Sequence, residues 1–290
     1  MHRHRRGVLV VVAMAFACVS ACSRTPAPRR YQLEGQILAV NLPRKQLTIK
    51  HGDIPGLMPA MTMNYPVARP DLLAGRTAGE LIKATLEVGN EQGTLVEITH
   101  VGQAPLADNT NEAAMAAGLL DLGDAAPDVT LIDQDNHPRA FTAWRGTPML
   151  VTFIYTRCPL PNFCPLMDEH FATIARLGAA DPALNGRFHL VTVTFDPDHD
   201  TPAVLAQHAA HLHADPRVWT FLPGDRAVID TLAAQFGIGV LRDPQDPTQI
   251  THNLRTTLIG ADGRLKRVYA DSDWTPEQVM RDLRAELAAR

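Results

Sequence analysis

The stretch PMLVTFIYTRCPLPNFCPLM, residues 148–167, joins a hydrophobic run to two cysteines and then to a proline. Residues 148–156 are almost continuously apolar and β-rich, the pattern of a strand covered on both faces, as in a parallel sheet. Pro165 can open a helix at its first position, where the missing N–H removes no helical bond. Behind it, Met167, Phe171, Ile174 and Gly178 recur at helical spacing on one face. Strand, cysteine pair and helix in that order predict an α/β fold with both thiols at the strand-to-helix turn.

Outward from there the pattern continues. RFHLVTVTF (187–195) reads as the next strand, and DPDHDTPAVLAQHAAHL (196–212) as a loop leading into a second helix. Residues 226–236 predict a third helix. TTLIG (256–260) and RLKRVYA (264–270) flank the turn ADG as a hairpin. Thr275, Pro276 and Gln278 form the start of a last helix that runs to the end of the chain. Together these elements predict a thioredoxin-like α/β domain over residues 120–290.

A structural disulfide, a redox dithiol and a metal clamp each fit the C-x5-C spacing. Cys164 falls at the start of the helix, where the partial positive charge lowers a thiol pKa. The expectation is therefore a thiolate at Cys164, the form that binds metal and attacks disulfides. A purely structural disulfide needs no such placement. His252 stands in the predicted loop before the hairpin, which in this fold faces the dithiol. Two thiolates and one imidazole make a soft three-coordinate site suited to copper.

The segments GDAAPDVTLIDQDN (123–136), TRCPLPNFCPLM (156–167), FDPDHDTP (195–202) and HNLRTTLIGADG (252–263) resemble the Sco/SenC family. The resemblance implies copper ligation by Cys158, Cys164 and His252. It implies a role at the Cu-A centre of cytochrome c oxidase, delivering copper or preparing the centre's thiols. Asp196 and Asp200 match a family motif whose acids shape the loop near the metal. One departure stands out: the family spacing is C-x3-C, and here five residues with prolines at 159 and 161 separate the cysteines. His170 is read as surface or as support behind the ligands, and His199, His208, His211 and His213 as solvated.

Residues 31–102 have a different texture. Short alternating runs, QLEGQILAV, KQLTIKH, ATLEVG and TLVEITHV, predict a small all-β, OB-like barrel. Within it, HGDIPGLMPAMTMNYPV (51–67) holds three methionines, Met58, Met61 and Met63. On a strand Met61 and Met63 share a face, as do Leu47, Ile49 and His51 on the preceding one. Methionines often fill irregular cores. An imidazole beside two thioethers is instead a soft donor set that favours Cu(I). This region resembles the small periplasmic copper-binding barrels of the CusF type. The resemblance carries His51, Met61 and Met63 over as ligands. Met58 stands where that family has a capping tryptophan, so it is either a further sulfur ligand or a replacement cap.

The N-terminus, MHRHRRGVLVVVAMAFACVSAC, has a basic start and a short apolar run, the pattern of an export signal. It ends in VSAC, which resembles a bacterial lipobox. That implies a signal peptide over 1–21, lipid on Cys22, and a tether over 22–30 leading to the barrel. Ser23 leans towards the outer membrane. A second linker is expected over 103–119. Cleavage removes Cys18 and leaves Cys158 and Cys164 as the free thiols of a periplasm-facing chain, in an oxidising compartment. Removing residues 1–21 takes three arginines and no acid, so the net charge goes from −4 to −7. A moderately acidic chain is unsuited to nucleic acid.

The function expected from the whole is a membrane-tethered copper metallochaperone. Its recipient would be the Cu-A subunit of cytochrome c oxidase or another periplasmic copper protein. Two alternatives stay open. One is a thiol–disulfide oxidoreductase in which Cys158 and Cys164 are catalytic. The other is copper resistance by sequestration.

Overall fold

The computed structural model describes residues 28–58, 60–88, 93–106, 118–243, 245–246 and 248–289. The export segment, the lipobox with Cys22 and most of the expected linker lie outside the described residues.

Five antiparallel strands form the N-terminal part: β1 (Arg29–Asn41), β2 (Gln46–His51), β3 (Met61–Pro66), β4 (Glu80–Val88) and β5 (Gly93–Gln103), in the order β3-β2-β1-β4-β5. Alternation decides which side chains face inward. Leu33 and Ile37 of β1, Leu47 and Ile49 of β2, Leu86 of β4 and Leu95 of β5 are all fully buried on the concave side. A bulge between Ile37 and Ala39 increases the curl of β1. The expected OB-like barrel, closed or nearly closed, is seen as a five-stranded sheet in which Val67, the residue after β3, makes a single parallel bridge to Leu95 of β5.

The C-terminal part is a thioredoxin-like α/β domain. Its sheet has the order β10-β9-β8-β13-β14. The strands are β8 (Met149–Ile154), β9 (His189–Thr194), β10 (Trp219–Leu222), β13 (Arg255–Ile259) and β14 (Leu265–Ala270). Strands β8, β9 and β10 run parallel, whereas β13 is antiparallel to both β8 and β14. Every residue of β8 and β9 is buried, as in a strand covered on both faces, including Thr152, His189, Thr192 and Thr194. Short hairpins add β6 (Thr130–Ile132) with β7 (Pro138–Ala140), and β11 (Val240–Arg242) with β12 (Ile250–His252).

Four helices cover the sheet: α1 (Cys164–Ala180), α2 (Pro202–His211), α3 (Arg226–Gln235) and α4 (Pro276–Ala288). Helix α1 buries Met167, Phe171, Ile174 and Gly178, the face read from the sequence. Gly178 is needed there. A Cβ at this position would come within 2.3 Å of the Phe188 ring. Thr201, Asp225 and Thr275 cap α2, α3 and α4 with side-chain oxygens that accept from backbone N–H groups.

The two parts are bound by a polar clamp. Asp121 accepts from Arg44 Nη1 (3.0 Å), Gln46 Nε2 (2.6 Å) and Asn64 Nδ2 (2.9 Å). Asp124 takes both terminal nitrogens of Arg44, at 2.7 and 3.0 Å. The segment carrying these acids is itself tied to the C-terminal domain, by Leu120 N–H to Gln235 O and Gly123 N–H to Leu265 O. The outer face of β2 is consequently covered, and Gln46 and Thr48 are buried.

Two features differ from the sequence reading. His252 ends the short strand β12, paired with Val240, where a loop was expected. Strand β10 was not anticipated, because WTFL is only four residues long and follows a polar turn.

Candidate metal centres

Strand β8 ends at Ile154, and the chain turns at once: the Cys158 N–H bonds to Tyr155 O at 3.2 Å. The two residues before Cys158 are held by the acids of the FDPDHDTP motif. Asp200, fully buried, accepts from the Thr156 N–H at 3.1 Å and from the hydroxyls of Thr156 and Thr194. Asp196 grips Arg157 through Nε (2.7 Å) and Nη2 (3.2 Å). Both acids are spent on this loop, as buried charges that are satisfied by charge-assisted bonds. Residues 159–162 are exposed, and Cys164 then begins α1.

The ligand atoms of Cys158, Cys164 and His252 all lie within 4.8 Å of one another. Cys164 Sγ is 3.6 Å from His252 Nε2. The Nδ1–H of His252 donates to Asn253 O at 3.0 Å, which leaves the Nε2 lone pair directed at the sulfurs. Tyr155, Phe163 and Phe195 surround the imidazole, with ring centroids 5.8, 6.0 and 4.5 Å away. Both cysteines are free thiols. Two sulfurs and one nitrogen in an apolar collar are a soft, low-coordinate donor set, which is what Cu(I) prefers over hard ions.

The thiols are not equivalent, and the asymmetry reverses the expectation for Cys164. A hydrogen bond from the Cys164 thiol holds Cys158 far below the ordinary thiol range, against the cost of burial. The same hydrogen bond, with burial behind it, pushes Cys164 up. Cys164 is 2% exposed, so desolvation outweighs the helix N-terminus. Cys158, half-buried, is the thiolate.

The other sequence candidates separate cleanly. His199, His211 and His213 are exposed. His208 is not solvated as expected: its Nε2 lies 2.9 Å from Asp168 Oδ2, on the helix that carries Cys164. His170 packs edge-on against Trp274, with centroids 4.6 Å apart.

In the N-terminal sheet, His51 and Met61 are directly opposed across β2 and β3, and Ile49 opposes Met63. His51 is buried, and its Nδ1–H donates to Gly52 O at 2.7 Å. Its Nε2 is also buried and has no partner. Burial lowers the His51 pKa, so the ring is neutral and that lone pair is available. Met58, Met61 and Met63 are each half-buried. An unpartnered buried nitrogen next to thioethers fits a soft cation. The two histidines thus share one device: Nδ1 is tied to the carbonyl of the next residue, so Nε2 is the nitrogen offered to the site.

More than half of the chain, residues 121–288, matches the SCO1/SenC family. The chain belongs to that family. Residues 30–100 match the copper binding periplasmic protein CusF family. The SCO1/SenC chain is 30% identical over 165 residues to a SCO2-like protein of Rickettsia felis, covering 54% of this chain and 74% of that one. It is 25% identical over 158 residues to a SCO1 protein homolog of Bacillus subtilis, covering 54% and 79%. Among solved structures, a SCO1/SenC family lipoprotein from Bacillus anthracis superposes with a TM-score of 0.52 at 21% identity, over 59% of this chain and 99% of that one. BsSco, a member of the Sco family of cytochrome c oxidase assembly proteins, gives 0.51 at 23%, over 59% and 98%. These two likenesses establish the fold. The chain therefore combines a Sco-type Cys158–Cys164–His252 copper site with a CusF-like copper-binding domain.

Proposed function

We propose that this protein is an exported copper carrier. It takes Cu(I) at His51, Met61 and Met63 and presents copper at Cys158, Cys164 and His252 to the Cu-A site of cytochrome c oxidase, or to another periplasmic copper protein. The observation that carries the reading is the position of His252 Nε2 beside Cys164 Sγ, with Nδ1 occupied elsewhere. Dithiol exchange needs only the sulfurs, whereas a three-coordinate copper site needs the imidazole as well. Two soft sites on one chain raise the effective concentration of one for the other. Export and a lipid on Cys22 place the sites on the periplasmic face of a membrane. Cys22→Ser then releases the protein from the membrane fraction, and unchanged fractionation overturns the anchor.

A second reading is favoured by the unequal thiols. A half-exposed thiolate beside a buried thiol is the arrangement of an attacking and a resolving cysteine. Cys158 would attack a disulfide of the target, releasing one target thiolate. Cys164 would then displace the second and close a Cys158–Cys164 disulfide, which an external dithiol reductant must reopen. The same residues would then be catalytic.

Oxidase assembly in cells separates the two. With a copper carrier, His252→Ala loses Cu-A and added copper restores part of it. Normal assembly with His252→Ala, together with failure of Cys158→Ser, would sink the carrier reading and leave the reductase. Lost copper tolerance with normal Cu-A in both variants would point to sequestration.

A further inference from the structure

Tyr65 lies at the fourth corner of the cluster formed by His51, Met58 and Met63. Its side chain is 2% exposed. Its hydroxyl is 3.6 Å from Met58 Sδ and 3.9 Å from Met63 Sδ. The ring meets His51 edge-on, with centroids 5.7 Å apart. Among the described residues no oxygen or nitrogen pairs with this hydroxyl, so its proton goes to sulfur or goes unmade, and a buried unmade bond is costly.

We infer that Tyr65 is a positioning residue that turns the Met58 and Met63 thioethers towards His51, making Met58 a third sulfur donor for Cu(I). The inference rests on the proposed copper site at His51, Met61 and Met63 and extends it to a residue that could otherwise be simple core. The backbone at Met58 is already fixed: Ile54 N–H bonds to Met58 O at 2.8 Å, and Met58 N–H to Ile54 O at 3.1 Å. What remains free is the side chain, with three rotatable bonds. A thioether has two lone pairs. One can accept the phenol proton while the other stays available to a soft cation. Burial raises the pKa of Tyr65, so the phenol keeps its proton. Each sulfur contact is long and weak, and the device acts by orientation. Holding the side chains ready removes an ordering cost that metal binding would otherwise carry.

Phenylalanine at 65 keeps the ring and the volume and deletes only the hydroxyl. The test uses the full chain carrying Cys158→Ser and Cys164→Ser, titrated with Cu(I) against a chromophoric chelator, with the Met methyl resonances followed by NMR. Tyr65→Phe is expected to weaken Cu(I) binding about three- to tenfold, the worth of ordering one or two side chains. Met58→Leu is expected to weaken it at least as much, and the double variant by less than the product of the two single losses. In the unaltered site, the Met58 methyl should shift on adding Cu(I). Unchanged affinity in Tyr65→Phe, or additive losses, or an unmoved Met58 methyl overturns the inference while leaving the copper site intact. If Tyr65→Phe does not fold, the Met58 methyl shift and Met58→Leu decide alone. Failure of the underlying site is a separate result: His51→Ala binds Cu(I) as tightly as its parent.

Discussion

The Cys164 sulfur lies 3.6 Å from Nε2 of His252, a residue 88 positions further along the chain. The contact joins the first residue of α1 to the last residue of β12, and it exists because β13 pairs with β8 in the middle of the sheet. Cys158 closes the triangle from the turn between β8 and α1. The bond from Cys164 to Cys158 makes the more exposed sulfur the more acidic one.

That asymmetry gives a chemical prediction. Cys158 is deprotonated well below the ordinary thiol pKa, so lowering the pH from 8 to 6 barely changes its thiolate fraction. An ordinary thiol loses about tenfold in rate per pH unit over that range. In the metal-free, reduced protein, iodoacetamide should modify Cys158 at a nearly pH-independent rate, with Cys164 untouched. Peptide mass mapping reads this out. A Cys158 rate that climbs tenfold per unit contradicts it.

The clamp between the two domains makes a second prediction. Asp121→Ala leaves Gln46 without its acceptor, Asn64 with the Leu119 carbonyl alone and Arg44 with Asp124 alone. Because Arg44 is partly exposed, the loss is about 1–3 kcal/mol at low salt, and its ionic part shrinks as salt is added. Small-angle scattering of the Asp121→Ala, Asp124→Ala chain should show a larger radius of gyration than the parent. Identical curves at low and high salt would show that the clamp does not hold the domains.

His189 sets an acid limit on stability. It is buried, stacks on Trp144 at 4.8 Å and lies 2.9 Å from the Thr220 hydroxyl through Nε2. Burial, helped by the charge of Arg139, lowers its pKa from 6.5 to about 4. A depressed folded pKa contributes stability that is present above pH 6.5 and lost as the pH falls towards 4. The contribution is about 3 kcal/mol when complete. Chemical denaturation of His189→Gln between pH 7 and 4 should show a flatter pH dependence than the parent. Parallel slopes contradict the assignment.

Much of this architecture is legible in the sequence because it is local. The unbroken apolar run of β8, the Met167–Phe171–Ile174–Gly178 face, the ADG hairpin and the M-T-M strand all follow from periodicity and turn chemistry. The likeness of His252 to a loop ligand placed it at the site, although its own strand was missed: ITH has too few residues to show alternation. The difference between the two thiols is not legible in the sequence. The helix N-terminus is visible in sequence, whereas the burial of Cys164 and its bond to Cys158 come from packing. The roles of Asp121 and Tyr65 also come from packing. One gathers donors from two strands more than fifty residues away in the chain, and the other is defined by two sulfurs, one on its own strand and one from the preceding loop.

The central claim is that one copper ion sits between Cys158, Cys164 and His252, and X-ray absorption tests it most directly. The sample is the full chain with His51→Ala, Met61→Ala and Met63→Ala to silence the other site, loaded with Cu(I) under reducing conditions. The account predicts one copper per chain with two sulfur ligands and one nitrogen. It also predicts loss of the nitrogen shell in the further variant His252→Ala. A spectrum of sulfur alone, unchanged by His252→Ala, or a chain that retains no copper, would contradict it.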